Sequence, residues 1–251
     1  GTGKAASHGI LIKSAEALQT AQSIGAIVFD KTGTLTKGAP KVTNIVSVSV
    51  DENEILALAA SLEKQSEPPL GEAILESAKS KNLKLQEVSS FKSLMGHGIQ
   101  GRINETDYFF GNRRLMKTLK YSLESHSMSF DTLESEGKTV MFLATKEKLW
   151  GYIAVAGTIK PNSKEAVQSL KSNGIQVYMI TGDNQKTADA IASECGITNV
   201  LAEVLPKDKS DQIQTLQKQG LKVAMVGDGI NDAPALAQAI IGLAMGAATD
   251  V

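Results

Sequence analysis

The heptad Asp30-Lys31-Thr32-Gly33-Thr34-Leu35-Thr36 follows directly on the apolar run Ala26-Ile27-Val28-Phe29. A carboxylate therefore emerges where a buried strand ends. That is the carboxyl edge of a parallel sheet, where open α/β folds place their ligands, and a carboxylate there can act as a nucleophile. Two more strand-to-aspartate junctions follow: Gln176 to Ile180 runs into Thr181-Gly182-Asp183, and Lys222 to Val226 runs into Gly227-Asp228-Gly229-Ile230-Asn231-Asp232. A carboxylate attacks a phosphoryl group only when the surrounding negative charge is neutralised by a cation and fixed donors. Asp228 and Asp232, on a glycine-rich turn and opening helix, could join Asp30 in holding a hard, oxygen-preferring ion such as Mg²⁺. The Thr181 hydroxyl and Gly182 amide suit phosphoryl oxygens, and Lys209 in Pro206-Lys207-Asp208-Lys209 supplies further positive charge. Taken singly, these read better as a common turn, a solvated lysine and a helix cap. Their order, each at a strand end or in the loop after it, argues for the chemistry.

The elements that must position these groups alternate as strand and helix from about Pro161 onward. Helical faces carry Ala166, Val167 and Leu170, then Ala188 and Ile191, then Ile213 and Leu216, with Gly174, Gly196 and Gly220 as C-caps. Such alternation predicts a parallel sheet covered on both faces, with the Ala26 to Phe29 strand in the same sheet. The middle of the chain reads differently. Helices are expected at about 53–65 and 69–80. Strands are expected at about 88–95, 99–104, 108–110, 139–144 and 150–155, with a hairpin turn at Lys146-Glu147-Lys148. The fold class is thus α/β with an inserted, mostly antiparallel α+β unit: residues 1–38 and 157–251 form one domain and 39–156 the other. Two chain crossings make a natural hinge.

Composition narrows the partners. The chain has 251 residues, 26 Lys plus Arg against 27 Asp plus Glu, and 42% hydrophobic content. That is enough for two cores, and near-neutral charge gives no reason to expect a nucleic acid or an anionic membrane surface. Cys195 stands alone, which excludes an internal disulfide, and His8, His97 and His126 are far apart in sequence, without metal-ligand spacing. The absence of a long apolar run and of a signal-peptide pattern predicts a soluble chain in a reducing cytosol; a monomer is expected.

Asp30-Lys31-Thr32-Gly33-Thr34, Thr181-Gly182-Asp183 and Gly227-Asp228-Gly229-Ile230-Asn231-Asp232-Ala233-Pro234 resemble the signatures of the haloacid dehalogenase superfamily, and within it the P-type ATPases. The resemblance implies a haloacid-dehalogenase-like Rossmannoid phosphorylation domain with an inserted nucleotide-binding domain. It implies that ATP phosphorylates Asp30, that Asp30, the Thr32 carbonyl and Asp228 hold Mg²⁺, and that Thr181 and Lys209 bind the phosphoryl group. Lys31, Gly182, Asp183, Asn231 and Asp232 complete that catalytic set by the same resemblance. Phosphatases of the superfamily carry a second aspartate two residues after the nucleophile as general acid and base; here that residue is Thr32, whose hydroxyl cannot do that work. The aspartyl phosphate should then persist until the actuator domain supplies a base.

The inserted segment resembles that of heavy-metal transporting P-type ATPases, copper transporters in particular. Glu63, Ser66-Glu67-Pro68-Pro69-Leu70, Gly96-His97-Gly98 and Gly111-Asn112 carry the likeness, which implies adenosine contacts at Glu63, Gly96, Gly98 and Asn112. For Gly101 a turn-shaping role is expected instead. Gly96 to Gly101 also spells a dinucleotide fingerprint, but an alternating strand follows it where a helix should open, which argues against that reading. Met95, His97, His126 and Met128 read as loop and packing residues, not a copper site. The chain departs from the family pattern at three places: Pro68 replaces a histidine that orients adenine, Gly157 and Lys160 replace an aspartate and an arginine at the return crossing, and Ile240 replaces an aspartate. The first implies weaker nucleotide binding, the second altered contacts to the phosphorylation loop, and the third altered local packing. Partners implied by the resemblance are ATP and the actuator and transmembrane domains of a full pump, with this segment on the cytoplasmic face of a membrane. The competing expectations are a free-standing phosphatase and a nucleotide-binding regulatory module without catalysis.

Overall fold

The computed structural model describes residues 7, 9–10, 15–66, 70–124, 127–228 and 231–246. Expectations resting on His8, Pro68, Pro69, His126, Gly229 or Ile230 lie outside the described residues. Strands in chain order are β1 (Ala26–Asp30), β2 (Lys41–Ser47), β3 (Ser89–Leu94), β4 (Gly98–Ile103), β5 (Thr106–Gly111), β6 (Thr139–Ala144), β7 (Leu149–Ala156), β8 (Gln176–Ile180), β9 (Asn199–Leu201), β10 (Val223–Gly227) and β11 (Ile241–Ala244). Helices are α1 (Ala15–Ala21), α2 (Glu52–Glu63), α3 (Leu70–Ser80), α4 (Arg113–Thr118), α5 (Ser127–Ser135), α6 (Ser163–Ser172), α7 (Gln185–Cys195), α8 (Lys209–Lys218) and α9 (Ala233–Gln238). The chain divides into two compact units, Gly1–Thr36 with Ile159–Gly182 and Ala192–Val251, and Lys37–Thr158 with Asp183–Ile191.

The first unit holds a parallel sheet in the order β11-β10-β1-β8-β9. Strand β1 enters at the centre despite its distance in sequence, with Phe29 opposite Val226 and Asp30 opposite Ile180. Because the strands are parallel, Asp30, Thr181 and Asp228 all leave the sheet at one edge. Burial explains the location: Ala26 and Val28 pack with Val223, Met225 and Ile180 against Ile213 and Leu216 of α8 and Ala235 of α9. A strand so apolar belongs in a sheet interior covered by helices. The glycines after α6, α7 and α8 adopt φ of 79° at Gly174, 77° at Gly196 and 87° at Gly220, left-handed C-cap conformations that stop each helix before the next strand.

The second unit is a six-stranded antiparallel sheet in the order β2-β7-β6-β5-β4-β3. Its apolar runs are continuous because both faces are covered. Phe110, Leu143 and Ile153 face a core with Leu56, Leu62 and Ile74 of α2 and α3, while Phe109, Phe142 and Tyr152 face Leu115, Met116 and Phe130 of α4 and α5. Successive residues on a strand point to opposite faces, so each adjacent pair serves both cores. The expected Lys146 to Lys148 turn forms, with Thr145 N bonded to Lys148 O at 3.0 Å.

Several elements differ from expectation. Residues 41–47, where no strand is expected, form β2, which pairs with β7 from Lys41 opposite Ala156; Asn44 and Ile45 break its alternation at a register shift between Val42 and Asn44. Helices α4 and α5 were not anticipated, nor were the short strands β9 and β11. Gly101 lies within β4 and shapes no turn: a Cβ there would come 2.5 Å from Val88 Cγ1 and 2.8 Å from Leu62 Cδ2, so helix packing excludes a side chain.

Candidate active site

The β1 strand ends in Asp30, only 5% exposed. The chain then makes a wide turn over Lys31–Leu35, with non-helical backbone at Thr32 (φ −80°, ψ 126°) and Gly33 (φ 75°, ψ −15°). Both carboxylate oxygens of Asp30 accept hydrogen bonds, Oδ2 from the Thr32 amide at 2.9 Å and Oδ1 from Lys209 Nζ at 2.7 Å. Lys209, at the first turn of α8, also donates to Asp232 Oδ1 at 2.6 Å. Asp232 Oδ2 in turn accepts the Asp228 amide at 3.1 Å. This close return explains Gly227, where a Cβ would sit 2.3 Å from Asp232 Oδ2. Asn231 donates to the Asp228 carboxylate from its amide nitrogen at 3.1 Å and from Nδ2 at 3.3 Å.

Burial pushes the Asp30 carboxyl up to about 6, against the pull of the Lys209 ammonium and with a further push from Asp232. Burial alone would lower the Lys209 pKa, but attraction to Asp30 and hydrogen bonds to Asp232 and Asp30 outweigh it and raise it. Lys209 therefore stays an ammonium at neutral pH. Two carboxylates, Asp30 and Asp232, share the Lys209 ammonium, and Asp228 bonds to Asp232 through its backbone amide, an excess of negative charge that a divalent cation would relieve. Asp30, the Thr32 carbonyl and Asp228 offer two carboxylates and a backbone oxygen, a donor set that fits Mg²⁺, which keeps waters and takes phosphate oxygens for its remaining positions. The backbone turn lies against Asp228, since a Cβ on Gly33 would be 3.9 Å from the Asp228 Cβ. Among the described residues no group of three His, Cys, Asp or Glu side chains is placed to hold a metal ion. An ion here would depend on backbone, water and substrate oxygens.

Thr181, 3% exposed, follows β8, its backbone bonded to Leu201 and Val204, and Gly182 is packed 3.5 Å (as a Cβ) from Val204 O. Asp183 falls in the other unit, where its Oδ1 accepts from Thr139 Oγ1 at 2.9 Å. Sequence reasoning identified Lys160 only as a departure from the family pattern. Its Nζ donates to the Gly33 carbonyl at 2.6 Å, and its amide and Ser163 Oγ both donate to Leu35 O at 2.9 Å. Lys160 and Ser163 thus brace the loop that carries Asp30. A lysine beside a strand crossing has no local pattern that would reveal this.

In the second unit, Glu63 is the last residue of α2 and is 5% exposed. Burial raises its carboxyl to about 7, against a hydrogen bond with Ser66. Gly71 makes room for it, because a Cβ there would lie 2.8 Å from Glu63 Oε2. Gly96, Gly98 and Asn112 come together directly, with Asn112 Nδ2 donating to Gly96 O at 2.9 Å. Met95 lies exposed in the turn after β3, as a loop residue, whereas Met128 is exposed on α5 and packs into no core. No described helix is long and apolar enough to cross a membrane.

Residues 24–239 match the family of haloacid dehalogenase-like hydrolases. The whole chain is 48% identical to copper-exporting P-type ATPases of Staphylococcus aureus strains JH9 and Newman and covers 31% of each. It thus spans about a third of the length of these relatives. A crystal structure of a zinc-transporting PIB-type ATPase in its E2.Pi state aligns at 36% identity and a TM-score of 0.64, over 99% of this chain and 40% of that one. The catalytic domain of the CPx-ATPase CopB-B, studied for its conformational changes upon nucleotide binding, aligns at 28% identity and a TM-score of 0.74, over 95% of this chain and 84% of that one.

Proposed function

Because this chain belongs to the haloacid dehalogenase-like hydrolase family, we propose that it is the phosphorylation and nucleotide-binding portion of a heavy-metal transporting P-type ATPase, with copper as cargo. The observation that carries this reading is Asp30: a buried carboxylate held by Lys209 and the Thr32 amide, with a threonine two residues on, where a phosphatase of the family would need a second carboxylate. The 48% identity to copper-exporting relatives supports it. On this reading the adenosine of ATP binds in the second unit, in a pocket bounded by Glu63, Gly96, Gly98 and Asn112. An Asp30 carboxylate oxygen bonds to the γ-phosphorus as the bond from that phosphorus to the β,γ-bridging oxygen breaks, and the electron pair leaves with ADP. The Thr181 hydroxyl, the Gly182 amide and Lys209 bind the transferring oxygens. Asp30, the Thr32 carbonyl and Asp228 would hold Mg²⁺, which supplies charge neutralisation between ATP and the carboxylates.

Thr32 cannot accept a proton from attacking water, so the aspartyl phosphate should outlive the chain's own turnover. Its hydrolysis, and the coupling to cation export, would fall to the actuator and membrane domains of a full pump, with this portion on the cytoplasmic face. The test is labelling with ATP radioactive at the γ-phosphate in the presence of Mg²⁺. An acid-stable, hydroxylamine-sensitive label is expected, absent in Asp30→Asn while ATP binding persists. Vigorous hydrolysis of simple phosphate esters would replace this reading with a phosphatase. Failure to label at any Mg²⁺ concentration would leave a nucleotide-binding regulatory module.

A further inference from the structure

The turn between β3 and β4 is closed by His97 N bonding to Leu94 O at 2.8 Å, and its glycines adopt φ of 70° at Gly96 and 142° at Gly98. From the end of β5, Asn112 reaches back to it twice. Its backbone amide donates to His97 O at 2.9 Å, and its side-chain Nδ2 donates to Gly96 O at 2.9 Å. The other side-chain atom, Oδ1, accepts from Arg114 N at 3.0 Å and Leu115 N at 3.2 Å, so it caps α4. Beneath this tie the two strands approach too closely for side chains. A Cβ on Gly98 would lie 2.2 Å from Phe110 O, and one on Gly111 would lie 2.2 Å from His97 O.

The Asn112 side chain is thus committed to the protein, its Oδ1 to the two amides of α4 and one of the two Nδ2 N–H groups to Gly96 O. We infer, resting on the nucleotide-binding reading above, that Asn112 is a positioning residue: it fastens the Gly96–Gly98 turn to the N-terminus of α4, so that the turn is shaped before adenosine arrives. Holding a binding loop in its bound form removes part of the ordering cost of association.

Two variants separate the roles. Asn112→Ser retains a hydroxyl that caps α4 but is too short to reach Gly96 O, and Asn112→Asp retains the cap acceptor without the donor. Each is examined in the full chain by amide NMR of Gly96, His97 and Gly98 without nucleotide, then by titration with Mg²⁺-free ATP and ADP. Displaced resonances for these three amides in the free chain are expected, with ATP and ADP weakened alike by about fivefold, the worth of one net hydrogen bond. Weaker binding with unmoved free-state resonances would make Asn112 a direct contact and overturn the inference. Displaced resonances with unchanged affinity, or a lowered unfolding midpoint alone, would overturn it too. If the wild-type chain binds neither ATP nor ADP, the nucleotide-binding reading falls, and the inference falls with it.

Discussion

Glu63→Gln tests whether the buried carboxylate at the end of α2 is kept for recognition at the expense of stability. Glu63 is 5% exposed, and burial lifts its pKa from an ordinary 4.5 to about 7. Each pKa unit corresponds to about 1.4 kcal/mol, so the ionised carboxylate costs the fold about 3 kcal/mol relative to a solvated one. The sign follows from proton uptake. Between pH 4.5 and about 7 the folded chain holds a proton at Glu63 that the unfolded chain has released. Stability contributed by this group is therefore full below pH 4.5 and is lost as pH rises through 7. Glutamine keeps an acceptor for Ser66 and never ionises. Glu63→Gln should match the wild type near pH 4.5 and exceed it by about 2–3 kcal/mol at pH 8, while binding ATP less well at pH 8, where the wild-type carboxylate is ionised. Urea unfolding followed by far-UV circular dichroism at half-unit pH steps measures the first effect, and calorimetric titration with ATP the second. Parallel stability profiles from pH 4.5 to 8, or a variant less stable than wild type at pH 8, would refute the reasoning.

Three other perturbations have outcomes fixed by the geometry. Lys209→Met leaves Asp30 and Asp232 buried without their shared ammonium, so urea unfolding at pH 7.5 should show a loss of about 3–5 kcal/mol and no phosphoenzyme should form; a stable, phosphorylated variant would show that the ion pairs are dispensable. Lys160→Met removes the bond to the Gly33 carbonyl, and quench-flow labelling should find phosphoenzyme formation slowed on the order of tenfold, with the ATP dissociation constant unchanged and most of the rate restored in Lys160→Arg. Gly111→Ala forces a methyl to within 2.2 Å of His97 O; thermal unfolding should show the second unit destabilised by roughly 2–4 kcal/mol, and an unshifted midpoint would mean the two strands can part at no cost.

Much of the architecture follows from local pattern. The continuous apolar runs at Ala26, Gln176 and Val223 require a sheet covered on both faces, and the glycines after three helices mark where each one stops. The elements without a legible pattern are short or irregular: β2 loses its alternation at Asn44 and Ile45, where the register shifts, β9 is only Asn199–Leu201, and α4 spans six residues, Arg113–Thr118. Short elements draw their stability from tertiary packing more than from propensity, so their own residues carry little signal.

The sequence by itself determined the chemical groups and the edge at which they emerge: Asp30 at a strand end, Thr32 in place of a second carboxylate, and aspartates after two later strands. Only the tertiary structure decided which atom answers which. Lys209 bridges Asp30 across 179 positions and Asp232 across 23, because β1 lies between β8 and β10 in the sheet. Likewise Asn112 caps α4 and holds Gly96 at once because β5 lies beside β4. Pattern along a chain encodes which face of an element is buried. Hydrogen-bond partners between distant segments depend on strand order and register, which are settled when the whole chain packs.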